Sequence, residues 1–220
     1  MGILGKTDIK KYIKEGKIIL DPVADQFQIQ PNSLDLRAGW NFYVPQQWQY
    51  GEAGRTVTRP DYTEHKANSD DFKLIKLRPG QYFEFLPNEF AIVSTLEKLS
   101  LKANDLMALL YPRSSMIRRG FVIESGVVDV GYSGHLTIPV YNATPQPLRL
   151  YPGERMYQLV FHTLDTPLAD DDAQLHGAVK AKYQDATAHN LQARTDSSEE
   201  LEFIKSGQLE KIKEQYRASE

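Results

Sequence analysis

The chain has 220 residues, 41% of them hydrophobic, with 26 basic against 29 acidic side chains for a formal net charge of −3. A chain of this length buries roughly 70% of the surface its unfolded form exposes, enough for one sizeable core; the balanced charge, with no Lys/Arg block, leaves no electrostatic footprint for duplex nucleic acid. Cysteine is absent, which excludes disulfides and thiolate zinc sites. The opening MGILGKTDIKK lacks the apolar core of a signal peptide, and no run reaches the span of a membrane helix, so a cytoplasmic protein is expected.

The first predicted element is a short helix. Thr7 is the expected cap, Asp8 favours the positive end, Ile9, Tyr12 and Ile13 form one apolar stripe, and Gly16 ends it. Gly5-Lys6-Thr7 is like the end of a phosphate-binding P-loop, but Gly2 is too close and no strand precedes it, so Lys6 is read as surface. Lys17 to Leu20 and Phe27 to Ile29 are strand-like. Ser33 to Arg37 alternates polar with apolar as a half-buried strand does, Ala38-Gly39 ends it, and Trp40 to Val44 extends the sheet. Asp35 is either a site residue or a strand carboxylate paired with a neighbouring arginine.

From Pro45 to Asp71 the composition turns to Gln, Gly, Thr, Asp and Asn, which predicts a long irregular insertion. Phe72 to Leu77, Gln81 to Leu86, Glu89 to Leu96 and Leu106 to Tyr111 read as further strands. About ten short β segments with turn residues between them predict an all-β sandwich or barrel, and no βαβ alternation appears. Beyond His162 the pattern fades. Ser197 and Glu200 make a capping box for a C-terminal helix in which Leu201, Ile204, Ile212 and Tyr216 form a stripe interrupted by Gly207, either packed on the body or exchanged with a neighbouring subunit. The expected division is a barrel with its N-terminal helix over residues 1–165 and a tail with its helix over 166–220, closing or packing on the site.

Candidate chemistry concentrates between Tyr111 and Phe161. Pro112-Arg113-Ser114-Ser115 sets a guanidinium fork beside two hydroxyls, a combination suited to phosphate oxygens, and Arg118 and Arg119 add charge. Gly126 to Gly134, GVVDVGYSG, reads as a hairpin that puts Asp129 at a strand-turn junction. There it could orient water against phosphorus or merely cap its own turn. Tyr132 could stack on a sugar or belong to the core. Gln158 is a lone amide in the apolar strand Met156 to Phe161; if buried, it needs a phosphate or a backbone partner.

The motifs PRSS, GVVDVGYSG and PGERMYQLVF, with QPNSLDLRAG at Gln30 to Gly39 and the opening helix, resemble the dUTPase and dCTP deaminase superfamily in the right order over most of residues 3 to 162. The resemblance implies a distorted jelly-roll barrel, a homotrimer with sites at subunit interfaces, and magnesium bound through the substrate triphosphate. By matching position it implies that Arg113, Ser114, Ser115 and Arg118 hold triphosphate and position water, with Arg118 and Asp129 as the catalytic candidates. Gly126, Val127 and Val128 would present backbone groups to the pyrimidine, Tyr132 would exclude a ribose 2′-hydroxyl, and Gln158 would contact phosphate. Lys182 and Gln184 would come from a closing tail, although the usual KYQGQ there becomes Lys182-Tyr183-Gln184-Asp185-Ala186.

One departure separates the two branches. Where dCTP deaminases carry a proton-shuttling glutamate after the hairpin, this chain has Pro139, which can neither give nor take a proton and suggests an edge or a bulge. Glu124 is the only nearby substitute and reads otherwise as a surface charge. The zinc deaminase route needs H-x-E and P-C-x-x-C, and none of His65, His135, His162, His176 or His189 has Glu two positions on. The expectation is therefore a dUTP diphosphatase, with a mono- or bifunctional dCTP deaminase or a non-catalytic nucleotide-binding regulator as alternatives.

Overall fold

A computed structural model of the chain describes residues 2–52, 54–57, 72–169, 175–176, 179–180 and 198–215. Helix α1 (Lys6–Lys14) is followed by β1 (Ile18–Asp21), β2 (Leu34–Pro45), β3 (Trp48–Gly51), β4 (Gly54–Val57), β5 (Phe72–Lys76), β6 (Phe83–Phe85), β7 (Phe90–Leu101) and β8 (Leu106–Pro112). Then come α2 (Ser114–Arg119), β9 (Phe121–Ile123), β10 (Gly126–Val128), β11 (Ser133–Asn142), β12 (Leu148–Leu150), β13 (Arg155–Thr163), β14 (Leu175–His176) and β15 (Val179–Lys180). The last elements are α3 (Ser198–Ser206) and α4 (Leu209–Gln215). The fold is the expected all-β one, a curled antiparallel half-barrel of jelly-roll type with short helices at both ends. Its main sheet runs β10-β8-β13-β2-β7-β11-β9, with β1 also on β7 and β5 also on β2.

Two strands of 12 residues each, β2 and β7, pair antiparallel at the centre of this sheet. The expected break at Ala38-Gly39 is not a break: β2 continues, and the register against β7 shifts between Ala38 and Phe42. Gly39 allows that irregularity because a Cβ there would lie 2.7 Å from the Thr95 carbonyl oxygen and 2.8 Å from that of Ser94. Inward-facing apolar residues of the alternating strands fill the interior. Phe42 stacks on Phe83 at 4.7 Å, and Phe85 meets Phe83 and Phe121 edge-on, the offset and T-shaped geometries that ring quadrupoles prefer.

Several local expectations are corrected. The cap of α1 is Gly5 rather than Thr7, with no side-chain cap; the Lys6 N–H instead donates to the Pro31 carbonyl at 2.8 Å, so a tertiary contact satisfies one free donor of the helix end. Ile9 is fully buried as expected. Phe27 and Gln28 lie in a turn, not a strand, because Asp25 Oδ1 accepts their backbone N–H groups (2.8 and 3.1 Å), while Ile29 keeps only an isolated β-bridge to Leu34. The insertion begins with a β3–β4 ribbon in which Arg55 sits over the Trp48 ring, and part of it lies outside the described residues. Gly207, at φ 72°, splits the expected C-terminal helix into α3 and α4, none of whose described side chains is buried. Ser197 and Tyr216 lie outside the described residues.

The segment after α1 is locked to the paired strands β2 and β7 by a buried carboxylate. Glu97 on β7 is 1% exposed; its Oε1 accepts from Gln28 Nε2 at 2.7 Å and its Oε2 from the Arg37 N–H at 3.0 Å. Arg37 in turn pairs with Asp25 at 2.6 Å and donates to the Gly153 carbonyl. Burial holds the Glu97 carboxyl above its ordinary value of 4.5, against the pull of these donors.

Two tests follow from this packing. Gly39→Ala should cost about 1–3 kcal/mol by overpacking the irregular β2–β7 contact, read as a lower urea midpoint with an unchanged slope. A raised folded-state pKa means that stability from protonated Glu97 is full below 4.5 and is lost as pH rises through the folded value. The unfolding free energy of wild type relative to Glu97→Gln should therefore fall between acid and neutral pH, and a flat difference would place no linkage at this residue.

Candidate active site

The residues singled out along the sequence fall into two groups. The first gathers where the end of β8, the start of α2, β2 and the start of β13 meet. Arg113 leaves β8 as the N-cap of α2, its N–H bonded to the Met156 carbonyl at 2.9 Å. Its side chain is committed within the fold: Nε lies 3.0 Å from Asp35 Oδ2, and Nη1 donates to the Arg155 carbonyl at 3.1 Å. Arg155 Nη1 approaches the same Oδ2 at 3.2 Å and also donates to the Phe27 carbonyl. Asp35 itself is fully buried, and its Oδ1 has no hydrogen-bond partner among the described residues. Burial pushes its carboxyl up from the ordinary value, while Arg113 and Arg155 pull it back. Of its two readings, Asp35 meets the paired one, and one of its partners is the arginine of the phosphate-type motif.

Ser114 and Ser115 open α2 rather than a plain turn, and both are exposed, as is Arg118 in its last turn. Arg119 is held inward by Glu154 at 2.6 Å and by the Arg149 carbonyl. Gln158 pairs in register with Asp35 on β2 and with Tyr111 on β8, so the three share one cross-strand row. The side chain of Gln158 is half-buried.

The second group surrounds Asp129. The expected hairpin does not form: β10 pairs with β8, whereas β11 lies between β7 and β9. A turn signal marks a change of direction, but the strand that β10 joins is selected by distant contacts. Asp129 still sits at the junction, directly after β10, and its carbonyl accepts the Tyr132 N–H at 3.2 Å. Tyr132 packs against the core and donates its hydroxyl to the His135 carbonyl at 3.0 Å, and burial pushes its phenol up. As the last strand in the sheet order, β10 keeps one edge of backbone groups without a strand partner among the described residues. Val127 there is 63% exposed. It forms an outward apolar row with Leu109 and Val160.

The register keeps the groups apart. Val128 pairs with Ala108, which sets Asp129 level with Met107, six residues from Arg113, so roughly 20 Å of strand separates Asp129 from the arginine at about 3.3 Å per residue. Along β8 of one chain the two groups are set apart by this register. Lys182 and Gln184 lie outside the described residues.

Pro139 lies within β11, opposite Ile92 of β7, and its carbonyl accepts the Glu124 N–H at 3.2 Å. Neither expected setting holds as stated, since β11 is an interior strand and its irregularity falls between His135 and Thr137. Proline is tolerated because β9 ends at Ile123, opposite Val140, so no further ladder bond there needs the missing N–H. The exposed Glu124 consequently stands beside Pro139, across from it. From the sequence the pairing of Asp35 was legible but not its partners, and Glu97 was passed over; a carboxylate in an otherwise apolar strand is the signal that could have marked the latter.

Among the described residues no group of three or more His, Asp or Glu could hold a metal ion, and no helix is long and apolar enough to cross a membrane. A family model for dCTP deaminase-like proteins matches residues 3–164. A Methanobrevibacter smithii protein named "dCTP deaminase, dUMP-forming" is 38% identical over 172 residues, covering 76% of this chain and 83% of the relative. A Dictyoglomus thermophilum protein of the same name is 33% identical over 206 residues, covering 92% and 97%. Among solved structures, the 2′-deoxycytidine 5′-triphosphate deaminase of Agrobacterium tumefaciens superposes with a TM-score of 0.56 at 26% identity, over 74% of this chain and 49% of that one. The relatives' shared name overturns the expectation, drawn from Pro139, of a dUTP diphosphatase as the main activity. With the family model spanning both groups of candidate residues, this chain is an enzyme of nucleotide metabolism that belongs to the dCTP deaminase-like family.

Proposed function

We propose that the chain converts dCTP to dUMP, taking up two waters and releasing ammonia and diphosphate. The observation that carries this reading is the family match over residues 3–164 together with the name its relatives share. The triphosphate enters as its magnesium complex and is held by Arg113, Ser114, Ser115, Arg118 and Gln158, whose guanidinium, hydroxyl and amide groups supply donors for charge developing on phosphate oxygens. Backbone groups of Gly126 to Val128 read the pyrimidine, which the uncovered edge of β10 supports. Asp129 contacts the sugar and orients water, and Tyr132 packs beside it against a ribose 2′-hydroxyl. Lys182 and Gln184 belong to a tail that closes over the nucleotide.

The separation of Asp129 from Arg113 supports a site assembled from more than one protomer, in a homotrimer. The outward row of Val127, Leu109 and Val160 supports the same reading, as an apolar face suited to a second copy. Glu124 is the carboxylate set beside Pro139, and in this reading it carries protons during deamination. The proline itself favours a second reading, a nucleotide-binding regulator that keeps the pocket without turnover.

Incubation of the purified protein with dCTP and magnesium should yield ammonia, diphosphate and dUMP; tight dCTP binding with no product would select the regulator instead. Asp129→Asn should lower turnover by about two to four orders of magnitude, the contribution of a positioned base, with the oligomer intact by light scattering. Glu124→Gln should depress ammonia release by a similar factor, roughly 10² or more, while diphosphate release from dUTP persists. Unchanged ammonia release in that variant would remove Glu124 from the mechanism.

A further inference from the structure

Arg113 is not a freely moving phosphate ligand. Two of its nitrogens are already used, Nε on Asp35 Oδ2 at 3.0 Å and Nη1 on the Arg155 carbonyl at 3.1 Å. That leaves Nη2 with two N–H donors and no bond among the described residues. The carboxylate that holds it is costly to keep. Asp35 is fully buried, shares Oδ2 between two guanidinium groups and leaves Oδ1 without a partner. A buried ion pair is weak evidence for stability, because apolar residues of similar volume often do as well or better. An orphaned buried oxygen beside it therefore calls for another explanation.

Its place in the sheet supplies one. Asp35 stands opposite Gln158 in register, and Gln158 stands opposite Tyr111, two residues before Arg113. Cβ atoms of directly opposed residues lie about 5 Å apart, so the buried carboxylate and the amide are neighbours on one face of the sheet, and the guanidinium joins them through its ion pair with Asp35. Three sequence motifs, around Asp35, Arg113 and Arg155, converge on a single oxygen atom.

We propose that Asp35 is a positioning residue for triphosphate recognition: it clamps the Arg113 guanidinium through Nε so that the remaining Nη2 edge is presented to phosphate oxygens in a preset orientation. This rests on the deoxynucleotide triphosphate reading above. An arginine on a solvent-facing turn loses rotamer freedom each time it grips an anion, and a clamp removes that cost before the ligand arrives. A lysine at position 113 would keep the charge but could not hold Asp35 and offer a second edge at once.

The test is calorimetric binding of dCTP and dCMP, which share base and sugar and differ in phosphate count, to wild type, Asp35→Asn, Arg113→Lys and the double variant. Asp35→Asn should weaken dCTP binding about tenfold, the scale of one charge-assisted contact, and dCMP binding by less than about twofold. Arg113→Lys should lower the dCTP-to-dCMP preference to a similar extent, and the double variant should be no worse than either single one, because both break the same clamp. Equal losses for the two nucleotides would overturn the proposal and leave Asp35 a purely structural residue, as would losses that multiply in the double variant. Should Asp35→Asn fail to fold, Arg113→Lys alone decides: a wild-type preference for dCTP in that variant sinks the clamp. Preferential dCTP binding by wild type without conversion to dUMP would remove the activity reading and leave the clamp standing.

Discussion

A carboxylate taken out of water must find cations, and the way Asp35 finds them organises one end of this molecule. Its Oδ2 forms an ion pair with Arg113 at the end of β8 and accepts a hydrogen bond from Arg155 at the start of β13, while its own strand, β2, lies beside β13 in the sheet. Breaking such a set by removing one partner leaves an uncompensated charge in the interior, which typically costs 3–5 kcal/mol. The three motifs are therefore coupled: the strand bearing Asp35, the entry to α2 and the turn before β13 adopt their arrangement together.

The rest of the half-barrel keeps that arrangement rigid. The long strands β2 and β7 pair through a register shift where only glycine fits, and the Glu97 carboxylate pins Gln28 and Arg37 beside it. Asp35 and Glu97 thus sit on neighbouring strands, both buried and both pushed up by burial. One is satisfied at each oxygen within the fold and the other at only one. That asymmetry separates a carboxylate that serves the framework from one whose guanidinium partner opens α2 and its exposed hydroxyls.

The length of β8 imposes the second constraint. Because β10 joins its middle and α2 leaves its end, Asp129 and Arg113 are fixed apart by the register itself. No side-chain rotation closes a gap of several residues along a strand. In the proposed function the phosphate-type groups and the Asp129 loop are joined by assembly, and the outward apolar row along Leu109 sits on the same strand that keeps them separate.

What the sequence by itself determined was local: the strand-forming runs that make most of β2, β7, β8 and β13, the amphipathic stripe of α1, the junction at Asp129, and the order of motifs that marks the family. Each is written in residues a few positions apart, where periodicity and turn chemistry act. Tertiary structure alone decided that β10 leaves its supposed hairpin partner for β8, that Pro31 rather than Thr7 serves the first N–H of α1, and that Asp35 reaches Arg113 across 78 positions of chain. Pairing partners and charge partners are selected by which surfaces meet after the chain has folded back on itself, and no local pattern encodes that choice.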